Sequence, residues 1–151
     1  MSRGHTLLEL VVVLAVAAII ATVTVPGVAW VTGRAATGAD ARTFALVLRR
    51  AQAAAAATGQ PVSVRLVDQG LGYECDQAAG SDALVLDRGG FHEACTTNYP
   101  GGLVQFAPWG WPCAAGGRPR AGSFSFARSG AGATVVLQLG GRVRWQQAGA
   151  A

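Results

Sequence analysis

The strongest pattern in the chain is an apolar run near its start. From Leu10 to Val25 it reads LVVVLAVAAIIATVTV without a charge, and Thr6, Leu7 and Leu8 extend it backwards past Glu9. Counted from Leu7 to Val25 these are 19 residues. At ~1.5 Å per residue they would cover close to the ~30 Å of a bilayer core. The run predicts a membrane-spanning helix. Beyond Pro26 the apolar positions thin to a stripe: Phe44, Val47, Leu48, Ala51 and Ala55 recur at steps of three and four. Arg42, Arg49, Arg50 and Gln52 fall largely off that stripe, so the second half reads as an amphipathic helix. Five consecutive Ala at 53–57 favour the helix, and Gly59 then Pro61 stop it. Unbroken from Thr6 to Thr58 it would be ~80 Å long. Pro26 removes a backbone donor while Gly33 and Gly38 weaken their turns, which predicts a helix that is not straight.

After Pro61 the period changes to two. Val62, Val64 and Leu66 alternate with Ser63, Arg65 and Val67, the signature of a half-buried strand over 62–68. Further strands are expected at 71–75, 83–87, 103–107, 123–127, 134–139 and 142–146. Gly140-Gly141 gives the last pair a tight hairpin turn. Residues 114–122 are the most linker-like stretch. The expected fold is α+β, a long N-terminal helix whose second half lies on a small antiparallel sheet or pair of sheets.

Composition sharpens this picture in two ways. Of 151 residues, 51% are hydrophobic and only 13% charged, which excludes a soluble charged bundle and a disordered chain. The length suits one domain. All 12 basic residues are Arg, and the formal charge is +4. Six acids and one Arg lie between Asp68 and Glu93, whereas Arg118, Arg120, Arg128, Arg142 and Arg144 follow with no acid among them. The C-terminal third is therefore basic.

Glu9 is the residue that discriminates among readings of the N-terminus. A removable secretory signal peptide with Arg3 as its charged leader would suit the apolar run, as would a plain anchor. Neither accounts for a carboxylate inside the run, which costs roughly 2.5–3.5 kcal/mol at mid-bilayer unless paired. A free α-ammonium created by cutting just before the segment would pair with it, and Gly4 offers a small residue for such a cut. Gly4-His5-Thr6-Leu7-Leu8-Glu9-Leu10 with the apolar run resembles the class III signal of type IV pilins and type II secretion pseudopilins. The resemblance implies cleavage by a prepilin peptidase between Gly4 and His5, N-methylation of His5, and Glu9 as the assembly residue that pairs with a neighbour's amine. Pro26 stands where these helices usually carry a proline, and His5 where they prefer Phe or Met. Arg3 on one side of the run is balanced by Arg34 and Arg42 on the other, so charge gives no orientation. The resemblance alone implies a cytoplasmic N-terminus.

The remainder resembles the GspH/FimT branch of the pseudopilins, through Leu48-Arg49-Arg50-Ala51, Val104-Gln105-Phe106-Ala107-Pro108-Trp109-Gly110 and the terminal Gly141-Arg142-Val143-Arg144. The middle, 72–100, has no counterpart. The implied organisation is a leader at 1–4, a transmembrane and assembly helix at 5–30, and a globular domain at 31–151. The implied protein is a minor pilin or pseudopilin in the bacterial inner membrane. It would be single-pass with its C-terminal domain extracytoplasmic, and would join other subunits in a type IV pilus or type II secretion pseudopilus. Secreted cargo would be a further partner.

Candidate chemistry in the domain is sparse. Cys75, Cys95 and Cys113 lie in the extracytoplasmic part, which favours one disulfide, with three pairings open. His92-Glu93-Ala94-Cys95 lacks the ligand spacing of a metal site. No nucleophile elbow or phosphate loop is present, so neither enzyme nor cofactor is expected. Trp109, Trp111 and Tyr99 read either as a cluster capping the sheet, the favoured reading, or as an exposed partner face. Arg142 and Arg144, alternating on a strand, would project from one face. They are either a solvated strand or, as implicated in some FimT-type members, a DNA contact for uptake in natural transformation (competence).

Overall fold

A computed structural model of the chain describes residues 7–79, 82–128 and 130–147. The helix α1 is unbroken over Leu7–Thr58, 52 residues with Pro26, Gly33 and Gly38 inside it. It ends where expected: Gly59 takes the left-handed conformation at φ 67° and donates its N–H to the Ala55 carbonyl at 3.0 Å.

Nine strands follow among the described residues: β1 (Val62–Val67), β2 (Gly72–Ala79), β3 (Asp82–Gly90), β4 (Cys95–Thr97), β5 (Leu103–Phe106), β6 (Pro112–Cys113), β7 (Gly122–Arg128), β8 (Ala131–Leu137) and β9 (Val143–Gln147). They form two antiparallel sheets, ordered β3-β2-β1-β5-β6 and β4-β7-β8-β9. The 114–121 stretch is the last of three crossings between them. It is pinned by the Cys113–Pro119 bridge and by Arg120 N–H to the Pro112 carbonyl at 2.8 Å. At the other end, Gly70 (φ 91°) lies so close to the Cys95 backbone that a Cβ there would collide with it, which brings the β1–β2 turn against β4.

The second half of α1 lies across both sheets. Phe44, Val47, Leu48, Ala51 and Ala55 are all buried. Phe44 is the centre of an aromatic cluster: its ring centroid is 4.9 Å from Phe124, 5.2 Å from Phe91, 5.7 Å from Tyr73 and 6.2 Å from Phe126. The strands supply the opposite wall by alternation, β8 burying Ala131, Ala133, Val135 and Leu137 while Gly132, Thr134 and Val136 face outwards.

Seven strands match expected segments, with the β2–β3 hairpin longer than its alternation predicts. Two were not expected. β4 is three residues and β6 two, too short for any period to show, and both exist because a longer neighbour offers them an edge.

Candidate functional site

Gly4 and His5, the expected cleavage and methylation position, lie outside the described residues. Glu9 sits in the first described turn of α1. Side chains are described from Leu7 to Thr22, and every one of them is exposed; Leu7 is 83% accessible and Ile19 66%. A helical stretch apolar but for Glu9 and Thr22, and exposed throughout, presents a surface that calls for a cover. Among the described residues no helix is long and apolar enough to cross a membrane. Those 16 consecutive side chains cover ~24 Å, short of the ~30 Å core.

Burial begins at Gly33 and Thr37, and at Asp40 the helix is fastened to the domain. Asp40 is only 4% exposed. Its carboxylate accepts from the His92 backbone N–H at 2.9 Å and the Glu93 N–H at 3.2 Å, and meets His92 Nδ1 at 2.7 Å. Glu93 in turn pairs with Arg128 at 2.6 Å. The hydrogen bond to Asp40, then its charge, raises the His92 pKa above the ordinary 6.5. His92 is thus a clasp between the 91–94 loop and the helix, where the sequence offered only a polar loop beside Glu93. A signal existed: Asp40 stands one turn before Phe44 on the apolar stripe, where a carboxylate needs partners.

The expected disulfide is not formed; all three thiols are free and buried. Cys75 on β2 and Cys113 on β6 are three strand spacings apart in one sheet, ~14 Å, beyond the ~7 Å reach of a bridge. Each thiol fills core space as a small apolar group. Burial pushes Cys75 up to about 11 and Cys95 to about 12, and raises Cys113, so none is a ready thiolate.

The Trp cluster also differs from the favoured expectation. Tyr99 is buried against Phe124, with its hydroxyl donating to the Arg120 carbonyl at 2.8 Å. Trp109 and Trp111, however, point outwards at 66% and 48% exposure. The β5–β6 turn bonds to itself, Ala107 N–H to Trp111 O at 3.0 Å and Gly110 N–H to Ala107 O at 2.8 Å. Those bonds leave the indoles outside.

The five C-terminal arginines separate. Arg128 is spent on Glu93, and Arg120 donates to the Asn98 carbonyl at 2.9 Å. Arg118 lies in the exposed crossover. Arg142 and Arg144 are both exposed at β9, the free edge of its sheet. Arginines far away in sequence join them. Arg49 donates to the Val143 carbonyl at 3.1 Å, Arg42 stacks 4.6 Å over Trp145, and Arg34 stacks 5.3 Å over Trp30 while its carbonyl accepts from Gln147. Among the described residues no carboxylate pairs with any of these five.

An exposed apolar helix start running into an amphipathic half that carries two antiparallel sheets is a type IV pilin-like fold. Residues 1–25 match the prokaryotic N-terminal methylation motif. The structure is similar to the type IV minor pilin FimU of Pseudomonas aeruginosa, with TM-score 0.63 and 19% identity, covering 76% of this chain and 91% of that one. It is also similar to EpsH, the minor pseudopilin of the Vibrio cholerae type 2 secretion system, with TM-score 0.60 and 15% identity over 74% of this chain and 97% of that one. No curated protein matches the chain significantly.

Proposed function

We propose that the protein is a minor pilin or pseudopilin, a structural subunit of a type IV pilus or type II secretion pseudopilus. The observation that carries this reading is the methylation motif running into a helix whose side chains from Leu7 to Thr22 are all exposed. The run from Leu7 to Val25 would hold the subunit in the inner membrane with the domain outside, and afterwards pack among neighbouring helices. Prepilin peptidase would cut between Gly4 and His5 and methylate His5. Glu9 would set axial register by pairing with a neighbour's N-terminal amine, a bond whose partner in lipid is irreplaceable by water. The test is Glu9→Ala: it is expected to be cut and to stay in the membrane yet to be missing from filaments. Normal incorporation would contradict the register role.

The second reading is a DNA-binding subunit on the same scaffold, favoured by Arg142 and Arg144 lying exposed beside Arg34, Arg42 and Arg49 with no carboxylate paired among them. Retention on DNA that weakens with salt and disappears in Arg142→Ala with Arg144→Ala would support it. Retention unchanged in that double variant would exclude this site.

A further inference from the structure

Two features on opposite sides of α1 remain without a task. The first is an open cleft of about 350 Å3 between the helix and the overhanging β2–β3 hairpin. Val47, Ala51, Ala54 and Leu86 give it apolar walls, with Arg50 and Asp87 also lining it. β3 is a free sheet edge, and Leu84, Val85 and Leu86 stand exposed in succession along it. Such an edge invites pairing unless something covers it. The hairpin carries Glu74, Asp76, Asp82 and Asp87 against Arg88 alone, a formal charge of −3 over residues 72–90.

The second is a projecting apolar tip. Trp109 and Trp111 are joined there by Leu139, 52% exposed on the β8–β9 turn. The two turns are held together through Gln52, whose Nε2 donates to the Gly110 carbonyl at 2.8 Å. Gly141, at φ 81°, fits against both; a Cβ there would run into the Gln52 amide and the Gly110 carbonyl. Arg142 follows directly, exposed, and makes the tip basic.

Tip and cleft stand at one level of the helix. Gln52 holds the tip, while Arg50 and Ala54, each two residues from it, line the cleft. Two residues turn an α-helix by about 200°. The same chain therefore presents an aromatic, basic projection on one side and, on the other, an apolar recess lined by Arg50 and Asp87 beneath a hairpin of net charge −3. The geometry points to head-to-tail association with a second copy of this chain: Trp109 and Trp111 of one copy enter the α1–β3 cleft of the next. A heterologous contact of this kind uses two different surfaces, so each copy can meet a further one, in a ring where the rotation closes and in an open array where it does not. The inference deepens the assembly reading, by naming a neighbour and the surface that meets it.

The test uses the full chain in detergent. Two differently tagged populations are mixed, one Leu139→Cys at the tip and one Leu84→Cys on β3, two residues from Leu86 of the cleft, and treated with a short thiol crosslinker. Both sites are exposed, so folding is not at risk, and the native thiols are buried. The expected result is a mixed dimer about tenfold above that formed with Gln60→Cys as the partner, falling to that background when Trp109→Ser and Trp111→Ser are added to the Leu139→Cys copy. A mixed dimer no stronger than background would overturn the inference, as would a yield indifferent to the two Trp changes or a preference for tip-to-tip dimers. The crosslink is expected to persist with Glu9→Ala. Its loss alongside normal Glu9-dependent filament entry would thus reject this contact and leave the assembly reading intact.

Discussion

The two halves of α1 share one backbone and obey different rules. From Leu7 to Thr22 the side chains are apolar apart from Glu9 and Thr22, and all are exposed. From Gly33 to Ala55 the apolar groups narrow to one stripe, and that stripe is buried completely. The first half is more hydrophobic, yet the second holds the protein together. Hydrophobicity stabilises a fold only where the same chain supplies the other side of the contact. In the proposed subunit, that other side comes for the first half from lipid or from other subunits.

Substitutions should divide along the same line. Phe44→Ala removes the ring at the centre of the aromatic cluster and is expected to cost the domain about 3–5 kcal/mol in chemical denaturation. Val16→Ala, a loss of apolar bulk in the first half, is expected to change the same measurement by less than ~0.5 kcal/mol. Similar costs at the two positions would break the comparison. Asp40→Ala comes next. It leaves the His92 and Glu93 amides without their acceptor, and a loss of about 1–3 kcal/mol is expected, with faster hydrogen exchange at those two amides. Unchanged exchange there would show that the loop is held by other contacts.

The smallest effect concerns pH. His92 has a raised pKa in the folded protein because it bonds to Asp40. Folding therefore binds its proton more tightly, and the stabilisation is fully present below the unfolded value of ~6.5 and lost as pH rises through the folded value. His92 is exposed, so the change is slight. Relative to His92→Gln, the wild type is expected to gain Tm on acidification through that range. Parallel pH profiles of the two proteins would remove the clasp from the account.

Periodicity made the scaffold readable: the stripe from Phe44 to Ala55 and the alternation in β1, β7, β8 and β9 are local patterns of apolar spacing. β4 and β6 were not readable because their pairing is set by β7 and β5, from elsewhere in the chain. The site was legible in a different proportion. Glu9 is conspicuous in sequence because a carboxylate interrupts an apolar run. The Asp40–His92 clasp joins residues 52 positions apart, and the basic flank joins Arg49 to a carbonyl 94 positions away. Only folding brings such partners together. The cysteines misled for a physical reason: spacing says nothing about which sheet a thiol faces, and all three turn into the core. The exposed indoles depended on how one tight turn bonds to itself.

The most direct test of the central claim is the intact mass and N-terminal sequence of the protein taken from its own membrane. The account predicts a chain that begins at His5, with one methyl group on its amine. A chain that begins near Gly27 would make the apolar run a discarded export signal, and the assembly role of Glu9 would fall with it.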